Sequence, residues 1–312
     1  MARLIDANDP TSASLGEVCE ALAVWGFDPA EPESIAHAAH WLRRLGNDRD
    51  FLGDILIDLL AGRTAGGKAG AGRIGVGLPG GETNCLVLVP PGRGDFSINA
   101  CIWPSAQEAA LRASGPEAFA YGLAHDHNYD FLVLGHFGPG LEFDDYEYLH
   151  QSVAGWSGEA VELRPLGRSV LQSGQLAHYR AHQDVHVIHP PQSLSATLAL
   201  THEHAVMGWM DHYLFDLGEG RISRVLGHGP SEAFLRIAVA LGGEEAKDLA
   251  ARFGRHHPSD RMRLVAWRAL AGEAGGIEAQ DAVWREAEAC GSRVVAAAAA
   301  ARRAAIAGQG AD

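Results

Sequence analysis

The feature that most restricts this chain is a change of texture near Arg73. From there to about Val225, short apolar runs at 85–89, 96–103, 131–134, 160–163, 177–180, 185–188 and 194–200 alternate with Gly/Pro turns. Strands spaced about ten to twenty residues apart, with no long helix between them, cannot form βαβ units and predict an antiparallel β-barrel or sandwich. A short helical interlude is expected over 105–120. Before the strands, apolar residues recur at three and four, as in Val18, Leu22, Val24 and Trp25, then Ile35, Ala39, Leu42 and Leu45, then Phe51, Ile55, Ile57 and Leu60, which predicts three short helices. The glycine-rich stretch 64–72 lacks the residues of a phosphate loop and reads as a connection. After Pro230 helices return, with Ser231 and Ser259 placed as N-caps, Glu244 opening a further helix and a last one including 296–305. The fold class is therefore α+β, with an N-terminal helical region over 1–72, a β-region over 73–228 and a C-terminal helical region over 229–312.

Charge narrows the partners. Thirty-nine acidic residues against 25 basic give a formal charge of −14, and no Lys/Arg cluster is present to neutralise a run of phosphates, so nucleic-acid binding is not expected. The first residues lack the apolar core of a signal peptide and no segment reaches the eighteen or so apolar residues of a membrane span, so no membrane association is expected either. Cys19, Cys85, Cys101 and Cys290 form no CxxC pair, which argues against a zinc ribbon or a redox dithiol and makes a reducing cytoplasm the default location.

The chemistry is concentrated in histidines. His125 and His127 are two apart in residues 123–130, so on a strand both point to one face and can grip a single metal ion. A second cluster follows about sixty residues later: His178, His182, His186 and His189. On a continuous strand the first three would share a face, whereas a turn over 181–184 would break that phase. His186 is the preferred third ligand because Val185 and Val187 give it the apolar, β-branched company of a strand entering a core. Asp130, at odd spacing from His127, would point away and is expected to be structural or to support the ligands. Tyr129 and Tyr179 adjoin the ligand strands, Arg180 could hold a substrate carboxylate in a bidentate contact, and His182 is a candidate lining residue. Glu142, Asp144, Asp145 and Glu147 read as a solvated acidic edge. His202-Glu-His-Ala-Val lacks the second histidine of HExxH, and Gly155-Trp-Ser-Gly is not a nucleophile elbow.

With HxH on one strand and a distant histidine before the apolar, Ser-containing run 193–200, residues 123–200 resemble the cupin superfamily, and 186–198 looks like its three-histidine thiol dioxygenase branch. The resemblance implies a double-stranded β-helix barrel and a non-haem Fe(II) oxygenase. It implies O2 and a small, polar, amino-acid-derived substrate as partners, with Tyr129, Arg180 and His182 as catalytic candidates. The chain departs from the usual cupin pattern in having no Glu three or four residues after His127. Zn, Ni or Mn supporting isomerisation or hydrolysis is the alternative, and a non-catalytic cupin binding module is another. The segment 255–270 loosely resembles a HEAT-type helical hairpin, expected to act as a packing appendage or a homodimerisation element.

Overall fold

A computed structural model of the protein describes residues 3–63, 73–74, 84–92, 94–204, 207, 210–226 and 231–309. The glycine-rich stretch 64–72 and the expected boundaries at 72 and 228 lie outside the described residues. The chain divides into two compact units, one of Met1–His150, Ala160–Ala205 and His212–Arg221, the other of Gln151–Glu159, Val206–Asp211 and Ile222–Asp312.

The first unit opens with strand β1 (Arg3–Ile5) and helices α1 (Leu15–Trp25), α2 (Pro32–Asn47) and α3 (Phe51–Leu60). Ser14 caps α1 in a reciprocal box with Glu17, which satisfies two backbone donors at the helix start. Strands β2 (Arg73–Ile74), β3 (Cys85–Val89) and β4 (Phe96–Trp103) follow, and the expected interlude is α4 (Ala109–Ser114) with a single 3-10 turn. Then come β5 (Ala124–His125), β6 (Phe131–Phe137), β7 (Leu141–Glu147), β8 (Arg164–Leu171), β9 (Leu176–Tyr179), β10 (Asp184–His189), β11 (Ser195–His202) and β12 (His212–Asp216).

One sheet has the order β1-β9-β6-β11-β4-β3-β2, and in the second the order within this unit is β12-β5-β10-β7-β8. Every paired strand neighbour in this unit is antiparallel. The central strands β4, β6 and β11 of the first sheet are buried on both faces. Ile98 and Ala100 of β4, Leu132 and Leu134 of β6, and Leu198 and Leu200 of β11 pack with Val18, Leu22, Leu42 and Leu45 of the helices. The alternate residues of the same strands, among them Asn99, Val133 and Thr197, line a cavity whose other wall includes Leu141, Phe143 and His186 of the second sheet. Period-two alternation thus sends one set of side chains to the helices and the other to the cavity.

Two expectations change here. The run 160–163 contributes only an isolated bridge at Ala160, and the strand is instead β8, an exposed edge containing Pro165 and a positive-φ Gly167. Such a polar edge strand carries no hydrophobic alternation to betray it. Cys85 and Cys101 face each other in register across β3 and β4 and are joined as a disulfide, which removes the support that cysteine usage lent to a reducing compartment. Among the described residues no helix is long and apolar enough to cross a membrane.

The second unit contains α5 (Ser231–Leu241), α6 (Glu244–His256), α7 (Asp260–Gly272), α8 (Ile277–Glu288) and α9 (Arg293–Gln309), after a strand β13 (Arg221–Leu226). Ser259 caps α7 by accepting from the Met262 N–H. Trp267 and Trp284 anchor one core with Leu264, Ala287 and Val295, while Leu235, Val239, Met262 and Val265 form another. Helix α8 is absent from the sequence reading because its buried stripe is thin, only Trp284 and Ala287 being buried.

Candidate metal centre

Strand β5 lies between β10 and β12, and His125 is the direct cross-strand partner of His186. The pleat places both rings on one face. His127 follows two residues later on that side, just past the end of the strand. The result is three converging imidazoles: His186 Nε2 lies 3.1 Å from His125 Nε2 and 3.4 Å from His127 Nε2. One ligand nitrogen from each ring can be chosen so that all three lie within 4.8 Å of one another, and all three residues are buried.

The donor set fits a cation. Nitrogens at about 2.0–2.1 Å from a shared ion are separated by about 2.8–3.0 Å at right angles and about 3.3–3.4 Å at the tetrahedral angle, the range into which the 3.1 and 3.4 Å separations fall. The Leu123 carbonyl, which can only accept, receives a hydrogen bond of 2.9 Å from His125 Nδ1, so Nε2 keeps its lone pair. Burial lowers the pKa of all three rings below the ordinary histidine value, aided at His127 by His125, His186 and His212 and at His186 by His125, while the Leu123 contact partly opposes it at His125. The rings are therefore neutral at pH 7, the form in which imidazole binds metal.

Several residues brace this group. Asp126, fully buried between the two ligands in sequence, accepts from the Tyr148 hydroxyl at 2.7 Å and from the Tyr213 backbone N–H, while its own N–H donates to the Tyr213 carbonyl. The HxH segment is thus tied to β12 by backbone and side chain together. Asp126 and Tyr148 were missed in the sequence, where the signal was only the position of Asp126 between the two histidines. Asp145, opposite His186 across β7 and β10, is 2% exposed and accepts from Ser169 at 2.6 Å and from the Tyr179 hydroxyl at 3.3 Å. It does not belong to a solvated edge. The alternation Leu141, Phe143, Asp145 turns it inward, whereas Asp144 pairs outside with Arg168 and His189.

The other candidates lie apart from the ligand nitrogens. Tyr129 lines the cavity, its ring 4.9 Å from that of His127. Arg180 does not line it: its guanidinium is held by Asp184, at 2.6 and 3.0 Å, and by Glu147 at 3.5 Å, so it is committed within the protein rather than to a ligand carboxylate. The expected break over 181–184 is a turn that carries the chain from β9 in one sheet to β10 in the other, with His182 at φ 56. The His182 N–H donates to the His127 carbonyl and its ring lies 4.4 Å from that of His150. Burial pushes the His182 pKa down to about 4. His178 contacts Asp130 at 3.0 Å and His189 contacts Asp144 at 2.8 Å, which places neither histidine, nor Asp130, in the cluster.

No protein-family model matches the chain, and no curated protein matches its sequence. Solved structures similar to it include a DMSP lyase from Ruegeria pomeroyi, 14% identical over 39% of this chain and 47% of the lyase, at a TM-score of 0.23. A sugar phosphate isomerase from a cupin superfamily of Silicibacter pomeroyi is 16% identical over 48% of this chain and 75% of that one, at 0.27. A hydroquinone 1,2-dioxygenase from Sphingomonas is 17% identical over 37% and 64%, at 0.23. The chain spans less than half the length of the lyase, and likeness at these scores assigns it no activity.

Proposed function

We propose that this chain is a metal-dependent enzyme, an Fe(II) oxygenase of cupin-like architecture, in which His125, His127 and His186 hold the ion and a small substrate binds beside it. The observation that carries the reading is the meeting of three neutral imidazole nitrogens at 3.1 and 3.4 Å in a buried site. Without a cation at most one ring N–H can be shared at each of these contacts, which leaves ring nitrogens in the buried cluster unsatisfied, as His186 Nδ1 is.

When bound, Fe(II) would supply the coordination positions and the redox chemistry for O2 and substrate. The protein contributes geometry and seclusion. His125 is fixed in orientation by Leu123, the β5 segment is anchored through Asp126, and the aromatic rings of Phe131, Phe143 and Tyr179 around His186 keep water away. Three neutral ligands leave the dication's charge uncompensated, which favours an anionic donor group on the substrate.

The same three histidines suit Zn, Ni or Mn, and the 3.4 Å separation matches a tetrahedral zinc site, so a redox-inert isomerase or hydrolase is the second reading. Metal analysis of anaerobically purified wild type and His125→Ala, with oxygen uptake, separates them. One equivalent of iron, lost in the variant, with substrate-dependent oxygen consumption is expected. One equivalent of zinc without oxygen uptake refutes the oxygenase, and absence of stoichiometric metal refutes the metalloenzyme.

A further inference from the structure

Among the described residues, those that line the cavity beside His127 and His186 include no carboxylate, guanidinium or ammonium group. Trp103, Phe131, Val133, Leu141, Phe143 and Ile188 are among its apolar lining residues. Apart from the two histidines its polar side chains, Asn99, Tyr129, Tyr179, Thr197 and Thr201, are uncharged, and two of them are engaged with the protein. The Thr197 hydroxyl accepts from Trp103 Nε1 at 2.9 Å, and the Tyr179 hydroxyl donates to Asp145 at 3.3 Å. Asp145 lies behind this wall, where Ser169 also satisfies it, and Arg180 is held by Asp184 and Glu147.

A bound molecule with two charges could therefore satisfy only one of them. An anionic donor would meet the ion, but a second charge would be buried among uncharged side chains with no counter-ion, which is unfavourable. The cavity is also small, about 60 Å³, compared with the engineered apolar cavity of roughly 150 Å³ that admits benzene. Its length and chemistry suit a body of a few carbon atoms.

Resting on the metal reading above, we infer that the site selects compact monoanions: one carboxylate or enolate oxygen at the ion, and an uncharged apolar body between the sheets. α-Amino acids and dicarboxylates are rejected by their second charge. This differs from the amino-acid-derived substrate that the sequence resemblance implies, and Arg180, the candidate for holding a substrate carboxylate, does not line the cavity.

A matched pair of probes tests the inference on the full chain. Isobutyrate and alanine share a heavy-atom skeleton and differ by a methyl against an ammonium. Each is titrated into the cobalt(II)-loaded protein and followed by the cobalt ligand-field absorption, with succinate as the dianion. Saturable binding of isobutyrate at least about tenfold tighter than alanine and succinate is expected. Alanine or succinate binding as tightly as isobutyrate, or no binding by any of the three, overturns the inference while leaving the metal reading intact. Failure to take up cobalt overturns the metal reading and the inference with it. Preference for isobutyrate in a protein that consumes no oxygen supports the inference and removes only the oxygenase assignment.

Discussion

Replacing His186 by methionine should reverse sign with metal. In the metal-free protein His186 Nδ1 is buried without a hydrogen-bond partner, and Nε2 faces two other imidazole nitrogens. An unsatisfied buried polar atom costs about 1–3 kcal/mol, and the one hydrogen bond that Nε2 can make to His125 returns about 1 kcal/mol. Methionine has similar bulk, adapts to irregular space and joins Phe131, Phe143 and Tyr179 without an orphaned nitrogen. The metal-free variant should therefore be more stable than wild type by about 1 kcal/mol. With metal the order changes, because a ligand at a hundred times its Kd adds about 2.7 kcal/mol to wild type and little to the two-histidine variant. Urea unfolding of chelator-treated and cobalt-loaded samples measures both differences. If His186→Met destabilises the protein equally with and without metal, the three rings are ordinary core histidines and the metal reasoning is wrong.

Asp126→Asn should weaken cobalt binding about 10–100-fold, because its amide would face the Tyr148 or Tyr213 donor and loosen the segment carrying both ligands; an unchanged cobalt titration refutes the bracing role. The metal-free protein should lose stability as pH falls below about 6.5, since unfolded histidines take up protons there while His125, His127, His186 and His182, with folded pKa values depressed, do not. Each histidine contributes up to about 1.4 kcal/mol per pH unit across that window, which for His182 ends near pH 4; a flat urea midpoint between pH 7 and 5 contradicts it. Gly46→Ala places a methyl group onto Leu134 where α2 crosses β6, and the overlap of about 1–3 kcal/mol should outweigh the helix-propensity gain of about 1 kcal/mol. A raised melting temperature for Gly46→Ala, or an equal cost of Gly46→Ala in wild type and in a Leu134→Ala background, would show that the approach is looser than described.

The meeting of the three histidines was legible because they obey local rules. Period two put His125 and His127 on one face, and the β-branched neighbours of His186 marked it as an inward strand residue. What the sequence could not show was register. Only the pairing of β10 with β5 brings His186 opposite His125, and only the pairing of β3 with β4 brings Cys85 opposite Cys101. The acidic run misled for a related reason: Leu141, Phe143 and Asp145 do alternate, but a charge at the third place was read as solvent-facing, and its partners, the half-buried Ser169 and the buried Tyr179, come from other strands. Arg180 adjoins a ligand strand in sequence yet does not line the cavity. Asp184, four residues on, captures its guanidinium first.

The two faces of the first sheet give these readings a shared test. Along β11, Leu198 and Leu200 pack with the helices while Thr197, Ala199 and Thr201 line the cavity, so adjacent residues answer to different demands. Leu198→Ala removes buried carbon from the helix side and should cost about 2–5 kcal/mol, with the folded protein still binding one equivalent of cobalt. Ala199→Leu does the opposite. It projects a branched side chain into a cavity of about 60 Å³ and should abolish isobutyrate binding while cobalt, held by β5 and β10, remains. Far-ultraviolet circular dichroism, cobalt content and isobutyrate titration on the two variants distinguish the faces. Loss of cobalt from folded Leu198→Ala, or unaltered isobutyrate binding by Ala199→Leu, would mean that the sheet does not separate the site from the core, and the cavity would lose its claim to be where the ligand lies.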